Sequence, residues 1–93
     1  MAQDTATLIR QRLEARCAPL HVTIEDESDR HAGHAGARAG GGHYRVLVVA
    51  DLFEGLALPA RHRIVYDALR AEMHGVIHAL GLETLTPQEW RQR

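Results

Sequence analysis

The sequence predicts an α+β domain: a three-stranded mixed sheet with helices packed on one face, in the order helix, strand, strand, helix, strand. Three observations carry that prediction. Apolar residues recur every four positions near the start, at Ile9, Leu13 and Cys17. Two β-prone stretches follow, one alternating between apolar and polar residues and one almost continuously apolar. A proline-opened amphipathic segment then separates the second stretch from a third. With 93 residues the chain makes one domain over 1–93 with one small core, burying about 60–65% of the surface that its unfolded form exposes.

The first helix is expected from Asp4 to Ala18. Asp4 or Thr5 can accept from the free N–H groups of its first turn. Ile9, Leu13 and Cys17 form its apolar stripe, and Pro19 ends it by pushing the residue before it out of the α region. Leu20-His21-Val22-Thr23-Ile24-Glu25 alternates strictly, as a half-buried strand does, with Leu20, Val22 and Ile24 facing the core. Residues 27–42 hold five glycines and almost no large apolar side chain. Such a segment has little to bury, so a flexible loop is expected, and loops of that length inside a compact domain often carry function.

Tyr44-Arg45-Val46-Leu47-Val48-Val49-Ala50 is rich in branched residues and suits a central strand. Asp51 to Leu58 reads as a turn region, with Phe53 and Leu56 folding back onto the core. Pro59 suits the first turn of a second helix, expected to run to His74 with Gly75 as its stop. Ile64, Val65, Ala68, Leu69 and Met73 share its inner face; Arg63, Asp67, Arg70 and His74 share the outer. Val76 to Leu85 is the last strand, with Leu80 and Leu82 inward and Gly81 its weak point. Thr86-Pro87-Gln88-Glu89 is a capping-box signature, so residues 86–93 form a short terminal helix or tail. A helical connection makes the second and third strands parallel, with a right-handed crossover. The first two strands pair as an antiparallel hairpin.

Composition excludes several function classes. Hydrophobic and charged fractions of 45% and 25% are those of an ordinary soluble domain. No apolar run approaches the length of a membrane span, and with no charged n-region ahead of an apolar run at the start, a secretory signal is not expected. Cys17 is the single cysteine, which excludes an internal disulfide and points to a reduced, cytoplasmic setting. All eleven basic residues are arginine, and twelve acidic ones leave a net charge of −1. That is little positive field for nucleic acid, although Arg61, Arg63 and Arg70 form a local basic segment. Ser28, the only serine, has no base fixed beside it, and no catalytic constellation is visible. The chain is expected not to be an enzyme. The unusual feature is seven histidines.

Four stretches in order carry a family resemblance: Glu27-Ser28 with His31 just beyond; His43-Tyr44-Arg45-Val46; Phe53-Glu54-Gly55 followed by Arg61-His62-Arg63-Ile64-Val65-Tyr66; and Ile77-His78-Ala79-Leu80, closed by Thr86-Pro87. Each is weak alone; their order and spacing together resemble the BolA family over about residues 5–90. The resemblance implies a fold like the second type of KH domain, in agreement with the element order derived above. It also implies a function in iron–sulfur cluster trafficking and iron homeostasis. BolA-like proteins pair with monothiol glutaredoxins and share a 2Fe–2S cluster with them, and some bacterial members are described as transcriptional regulators of morphology and stress genes.

The resemblance places His78 where the family has its C-terminal cluster ligand. A histidine at a strand start is by itself most often a solvated side chain, but neutral imidazole does replace thiolate in 2Fe–2S centres. The family's loop supplies a second ligand, cysteine or histidine. This loop holds no cysteine, so His31, in the better register, and His34 are the candidates. Arg61-His62-Arg63 matches the family's hallmark before the second helix, and a partner-binding or fold-defining role is expected of it; solvated charges, with His62 beside Tyr66, are the plainer reading. Cys17 lies on the apolar stripe and reads as core. His21 and His74 read as solvated, and His43 marks a strand end. Gly33-His34-Ala35-Gly36 has the pattern of a KH nucleic-acid clamp but falls between strands rather than helices, and is read as coincidence.

A 2Fe–2S cluster needs four ligands, so the rest must come from a partner; the resemblance implies that these are a glutaredoxin cysteine and a glutathione thiol, and the isolated chain is expected to hold no stable cluster. That chain is expected to be a monomer or weak homodimer, with no membrane partner. The alternative function is a DNA-binding regulator using the second helix and its arginines.

Overall fold

The computed structural model describes residues 4–28 and 41–93. Helix α1 covers Thr5–Cys17, strand β1 His21–Asp26, strand β2 Gly42–Val49, helix α2 Leu58–Ala68, strand β3 Ile77–Leu85 and helix α3 Pro87–Arg91. A single turn of 3-10 helix, Asp51–Phe53, links β2 to the approach of α2.

The sheet order is β1-β2-β3. β1 and β2 are antiparallel, with His21 opposite Val49 and Asp26 opposite Tyr44. β2 and β3 are parallel, with Tyr44 opposite Leu80 and Val49 opposite Leu85. Alternation puts Tyr44, Val46 and Val48 on one face of the central strand. They share one buried cluster with Ile9, Leu13 and Cys17 of α1 and with Val65 and Leu69 at the end of α2. Both long helices therefore cover the same face, as expected. Phe53, wholly buried, closes the core from the 3-10 turn.

Local signals operate where the sequence placed them. Asp4 caps α1: its Oδ1 accepts from Thr7 N at 2.7 Å and its Oδ2 from Thr7 Oγ1 at 3.0 Å. Those donors hold the Asp4 carboxyl below its usual pKa. Ala18 ends the helix in the left-handed region at φ 45°, its N–H reaching Glu14 O at 3.3 Å, and Pro19 prevents continuation. At α3 the capping box is complete, Glu89 N donating to Thr86 Oγ1 and Thr86 N to Glu89 Oε1.

Four expectations need correction. Leu20 is 63% exposed: its N–H bonds to Val49 O at 2.8 Å, but the strand starts one residue later and the side chain lies past the edge of the core. The second helix stops at Ala68, not His74. Leu69 and Met73 keep facing the core because the chain continues in tight turns, with Glu72 N and Met73 N both donating to Leu69 O. His74, rather than Gly75, takes the left-handed conformation, at φ 67°. Finally, the ends of the segment expected to be a flexible loop are anchored. Glu27 N donates to His43 O at 2.7 Å, and Gly42 already belongs to β2. Residues 29–40 of that segment lie outside the described residues.

One buried carboxylate tethers α1 to the turns after α2. Glu72, 5% exposed, accepts from Arg12 Nε and Nη2 at 3.4 and 3.3 Å through Oε2. Its other oxygen has no partner among the described residues.

Candidate functional site

The site is built at the end of the sheet where the two parallel strands begin. Ile77, fully buried, anchors the start of β3. The pairing then jumps: Gly42 faces Ile77, but His43 faces Ala79. His78 is thus the extra residue of a β-bulge, a device that re-aims a side chain, and it is exposed. Gly41 lies directly over it. A Cβ on Gly41 would sit 2.6 Å from His78 Cβ and 2.9 Å from the Gly75 carbonyl oxygen, so only glycine fits. Gly42 is similarly confined, by Tyr44 and by Ser28 Oγ.

His43 completes the arrangement. Its N–H donates to Ser28 Oγ at 3.1 Å and its carbonyl accepts from Glu27 N. The residues of the Glu27-Ser28 pair therefore fix the backbone that carries His43. The rings of His43 and His78 lie 5.1 Å apart between centroids, inclined at 46°. A shallow pocket of about 290 Å³ opens beside them, with Ser28, Gly42, His43 and Tyr44 in its wall.

Of the sequence-derived candidates, His78 is thus at the surface with imidazole available to a ligand. His31 and His34 lie outside the described residues, in a segment that leaves at Ser28 and returns at Gly41, both beside this site. Cys17 is not available: it is 4% exposed, and burial pushes its thiol pKa up. Among the described residues no three or more histidine, cysteine or carboxylate side chains gather as a metal site. The donor that the described residues present at this surface is imidazole, not thiolate.

The Arg61-His62-Arg63 stretch divides. Arg61 is 7% exposed. Its Nε donates to Leu56 O at 2.8 Å and its Nη1 to Thr84 O at 3.2 Å. Nη1 also reaches Glu89 Oε1 at 2.7 Å, with Nη2 to Glu89 Oε2 at 3.4 Å. These contacts serve the fold-defining alternative: one guanidinium joins the start of α2, the end of β3 and α3. The ion pair and the Thr86 N–H hold the Glu89 carboxyl down at about 2. His62 is half-buried and Arg63 exposed, so they are the members that reach solvent. The basic segment is smaller than its sequence suggests, because Arg61 points inward and Arg70 is paired with Asp67 at 2.8 Å. Arg61 and His78 are not brought together. Arg61 binds at Thr84, six residues along β3 from His78, roughly 20 Å at strand rise.

Sequence reasoning missed the partnership of His43 with His78. The signal was present: each of two parallel neighbours opens with a histidine, and parallel strands begin at the same end of a sheet. His21 was also richer than expected, stacking on Trp90 with centroids 4.8 Å apart.

An α-β-β-α-β domain with its two long helices on one face of a three-stranded mixed sheet, and histidines at the start of the parallel strand pair, is the class of small α+β protein that this structure defines. Sequence comparison narrows it: the profile of the BolA-like protein family matches residues 13–89, and the chain belongs to that family. It is 40% identical over 84 residues to BolA-like protein 1 of Mus musculus, covering 90% of this chain and 59% of that protein. It is 38% identical over 82 residues to the DNA-binding transcriptional regulator BolA of Escherichia coli K12, covering 88% and 75%. Among solved structures, BolA1 from Arabidopsis thaliana superposes with a TM-score of 0.82 at 38% identity, covering 96% of this chain and 98% of that one. The chain spans less than two thirds of the mouse relative's length. Among the described residues no helix is long and apolar enough to cross a membrane.

Proposed function

We propose that this chain is a non-enzymatic adaptor in iron–sulfur cluster trafficking and iron homeostasis, acting in the cytoplasm. Its cargo is a 2Fe–2S cluster shared with a monothiol glutaredoxin. His78 supplies one ligand and a histidine of the 27–42 segment, His31 before His34, supplies the second; the glutaredoxin cysteine and a glutathione thiol complete the set. The observation that carries this reading is the bulge at His78. It turns an imidazole to solvent beside the two ends of the segment that holds His31 and His34. The sealed thiol of Cys17 supports the sharing, because the chain has no other cysteine to offer. His62 and Arg63 are the residues of the α2 motif that can meet the partner.

The test is reconstitution of the cluster on this chain mixed with a monothiol glutaredoxin and glutathione, followed by visible circular dichroism. His78→Ala should abolish or strongly alter the heterodimer spectrum while far-ultraviolet dichroism stays that of the folded chain. His31→Ala should shorten cluster lifetime more than His34→Ala. An unchanged spectrum and lifetime for His78→Ala would remove the assignment, and a stoichiometric cluster on the isolated chain would remove the sharing.

The name of the Escherichia coli relative favours a second reading, a DNA-binding regulator. The net charge of −1 and the inward Arg61 weigh against it. Phosphate contacts release counterions, so affinity for duplex DNA that falls steeply with salt would favour it; the adaptor reading expects no such binding.

A further inference from the structure

We propose that the outer edge of β3 is a self-association surface, through which two copies of this chain pair antiparallel at Leu80 and Leu82, with Gly81 on the two-fold axis. The proposal goes beyond the adaptor reading and does not rest on it: it needs no cluster, no metal and no loop histidine. β3 is an edge of the sheet, and in a parallel ladder each residue turns its N–H and C=O to the same side. Leu85 O accepts from Ala50 N, next to β2. Leu85, Glu83 and Gly81 therefore bond towards β2, and Thr84, Leu82 and Leu80 present their backbone groups outwards. The contact from Arg61 Nη1 to Thr84 O agrees.

The chain itself occupies both ends of that edge. Ile77 N donates to Glu72 O at 3.0 Å, Ile77 O accepts from His74 N at 2.9 Å, and Thr84 O is taken by Arg61. Between these ends, among the described residues, no hydrogen bond reaches the outward groups of Leu80 and Leu82. Native edges are usually blunted by charge or proline. Beyond the bulge at His78, the stretch Ala79-Leu80-Gly81-Leu82 has neither. The other edge is guarded: Arg10 Nη1 reaches Val22 O at 3.5 Å, and Glu25 and Asp26 are exposed. Gly81 is exposed too, although the fold does not demand glycine there, since a Cβ would meet nothing nearer than 3.9 Å. Glycine weakens a strand and often marks a place where another backbone comes close. Leu80 and Leu82 are only partly buried against the core, so each keeps apolar surface that a neighbour would cover.

A second copy matches this edge. A two-fold axis through Gly81 sets Leu80 against Leu82 of the second copy, and Leu82 against Leu80 of the second copy. Each such pair exchanges both of its N–H···O bonds, which satisfies every outward group of the two leucines and leaves Thr84 O to Arg61. The two copies of Gly81 face each other at the narrow, non-hydrogen-bonded spacing of about 4.5 Å between Cα atoms. Glu83, paired with Arg93 at 2.8 Å, falls opposite Ala79 of the second copy, so no like charges meet. The axis is normal to the sheet, so both helical layers lie on one face and the four leucines extend the core across the junction. With so few residues in contact, association is expected to be weak.

The test is sedimentation equilibrium of the whole chain from micromolar to millimolar concentration, with amide hydrogen exchange at both ends of that range. The expected result is a monomer–dimer equilibrium in which exchange at Leu80 and Leu82 slows as the chain is concentrated. Val22 and Ile24, on the outward side of β1, should keep their rates. Gly81→Glu and Gly81→Lys each put like charges opposite one another and should weaken self-association by about fivefold. An equimolar mixture of the two variants should recover it as a heterodimer, and Thr23→Lys on β1 should associate as wild type. A wild-type chain that stays monomeric to millimolar concentration would overturn the proposal. So would protection at Val22 and Ile24 instead, or wild-type self-association by Gly81→Glu. The exchange pattern of the wild-type chain decides the matter even where a variant folds poorly.

Discussion

Arg61→Met tests the reading of Arg61 as the joint between α2, β3 and α3. Methionine keeps the unbranched apolar stem but lacks the guanidinium, and donates no hydrogen bond. The carbonyl oxygens of Leu56 and Thr84 lose their guanidinium donor; each carbonyl left without a partner costs about 1–3 kcal/mol. Glu89 also loses its ion pair, but its side chain is 44% exposed and regains water. The loss should therefore lie around the lower end of the ~3–5 kcal/mol seen when a fully buried pair is broken. The expected destabilisation is about 2–4 kcal/mol. For a domain of this size each kcal/mol is about 4–8 °C in Tm, so the midpoint should drop by roughly 10–30 °C. Urea unfolding at pH 7, followed by far-ultraviolet dichroism, measures it. Arg61→Lys should recover part of the loss, because a single ammonium cannot reproduce the fork, and the Arg61→Met/Glu89→Gln double variant should show positive coupling. A loss for Arg61→Met within the ~0.5 kcal/mol of an ordinary surface substitution would refute the reasoning.

Three further outcomes are expected. Glu89 titrates near 2 in the fold against an ordinary 4.5, so its contribution is fully present above pH 4.5 and is lost as pH falls towards 2; the stability gap between wild type and Glu89→Gln, read by urea unfolding, should narrow across that window. Leu13→Ala empties a wholly buried position on the α1 stripe and should cost about 2–5 kcal/mol in the same assay. Gly41→Ala forces a Cβ to within 2.6 Å of His78; amide spectra should shift most at His78 and Gly75, whereas deletion of residues 37–40, which spares that contact, should leave those two peaks in place.

The architecture was legible because periodicity speaks directly to burial. Ile9, Leu13 and Cys17 at a spacing of four are core residues in the structure, and Val22 and Ile24 at a spacing of two are partly buried against that core. The Thr86–Glu89 signature was legible because a capping box is local. Ends were harder. Alternation assigns Leu20 to the inner face but cannot say where the helices stop covering the sheet. Leu69 and Met73 keep helical spacing although the backbone has left the helix at Ala68, because tight turns present them to the same core. At the site, His78 could be singled out by motif, whereas His43 read as a strand end; their proximity depends on the register and bulge between two parallel strands. Arg61 was the least legible. Arginine is seldom buried, and its acceptors Thr84 and Glu89 lie 23 and 28 residues away.

The position of Cys17 makes the chain a ready-made blank for thiol chemistry. Its sulfur is sealed under α1 and its pKa is raised, so a maleimide added to the native protein finds no quick target. A cysteine introduced at an exposed position such as Glu14 or Arg63 would then take a fluorophore or spin label at one place, with no need to delete the natural thiol. Cys17 itself becomes a clock. Its slow modification in native buffer counts the moments at which the core opens, and the rate gives the free energy of that opening without denaturant and at concentrations too low for spectroscopy.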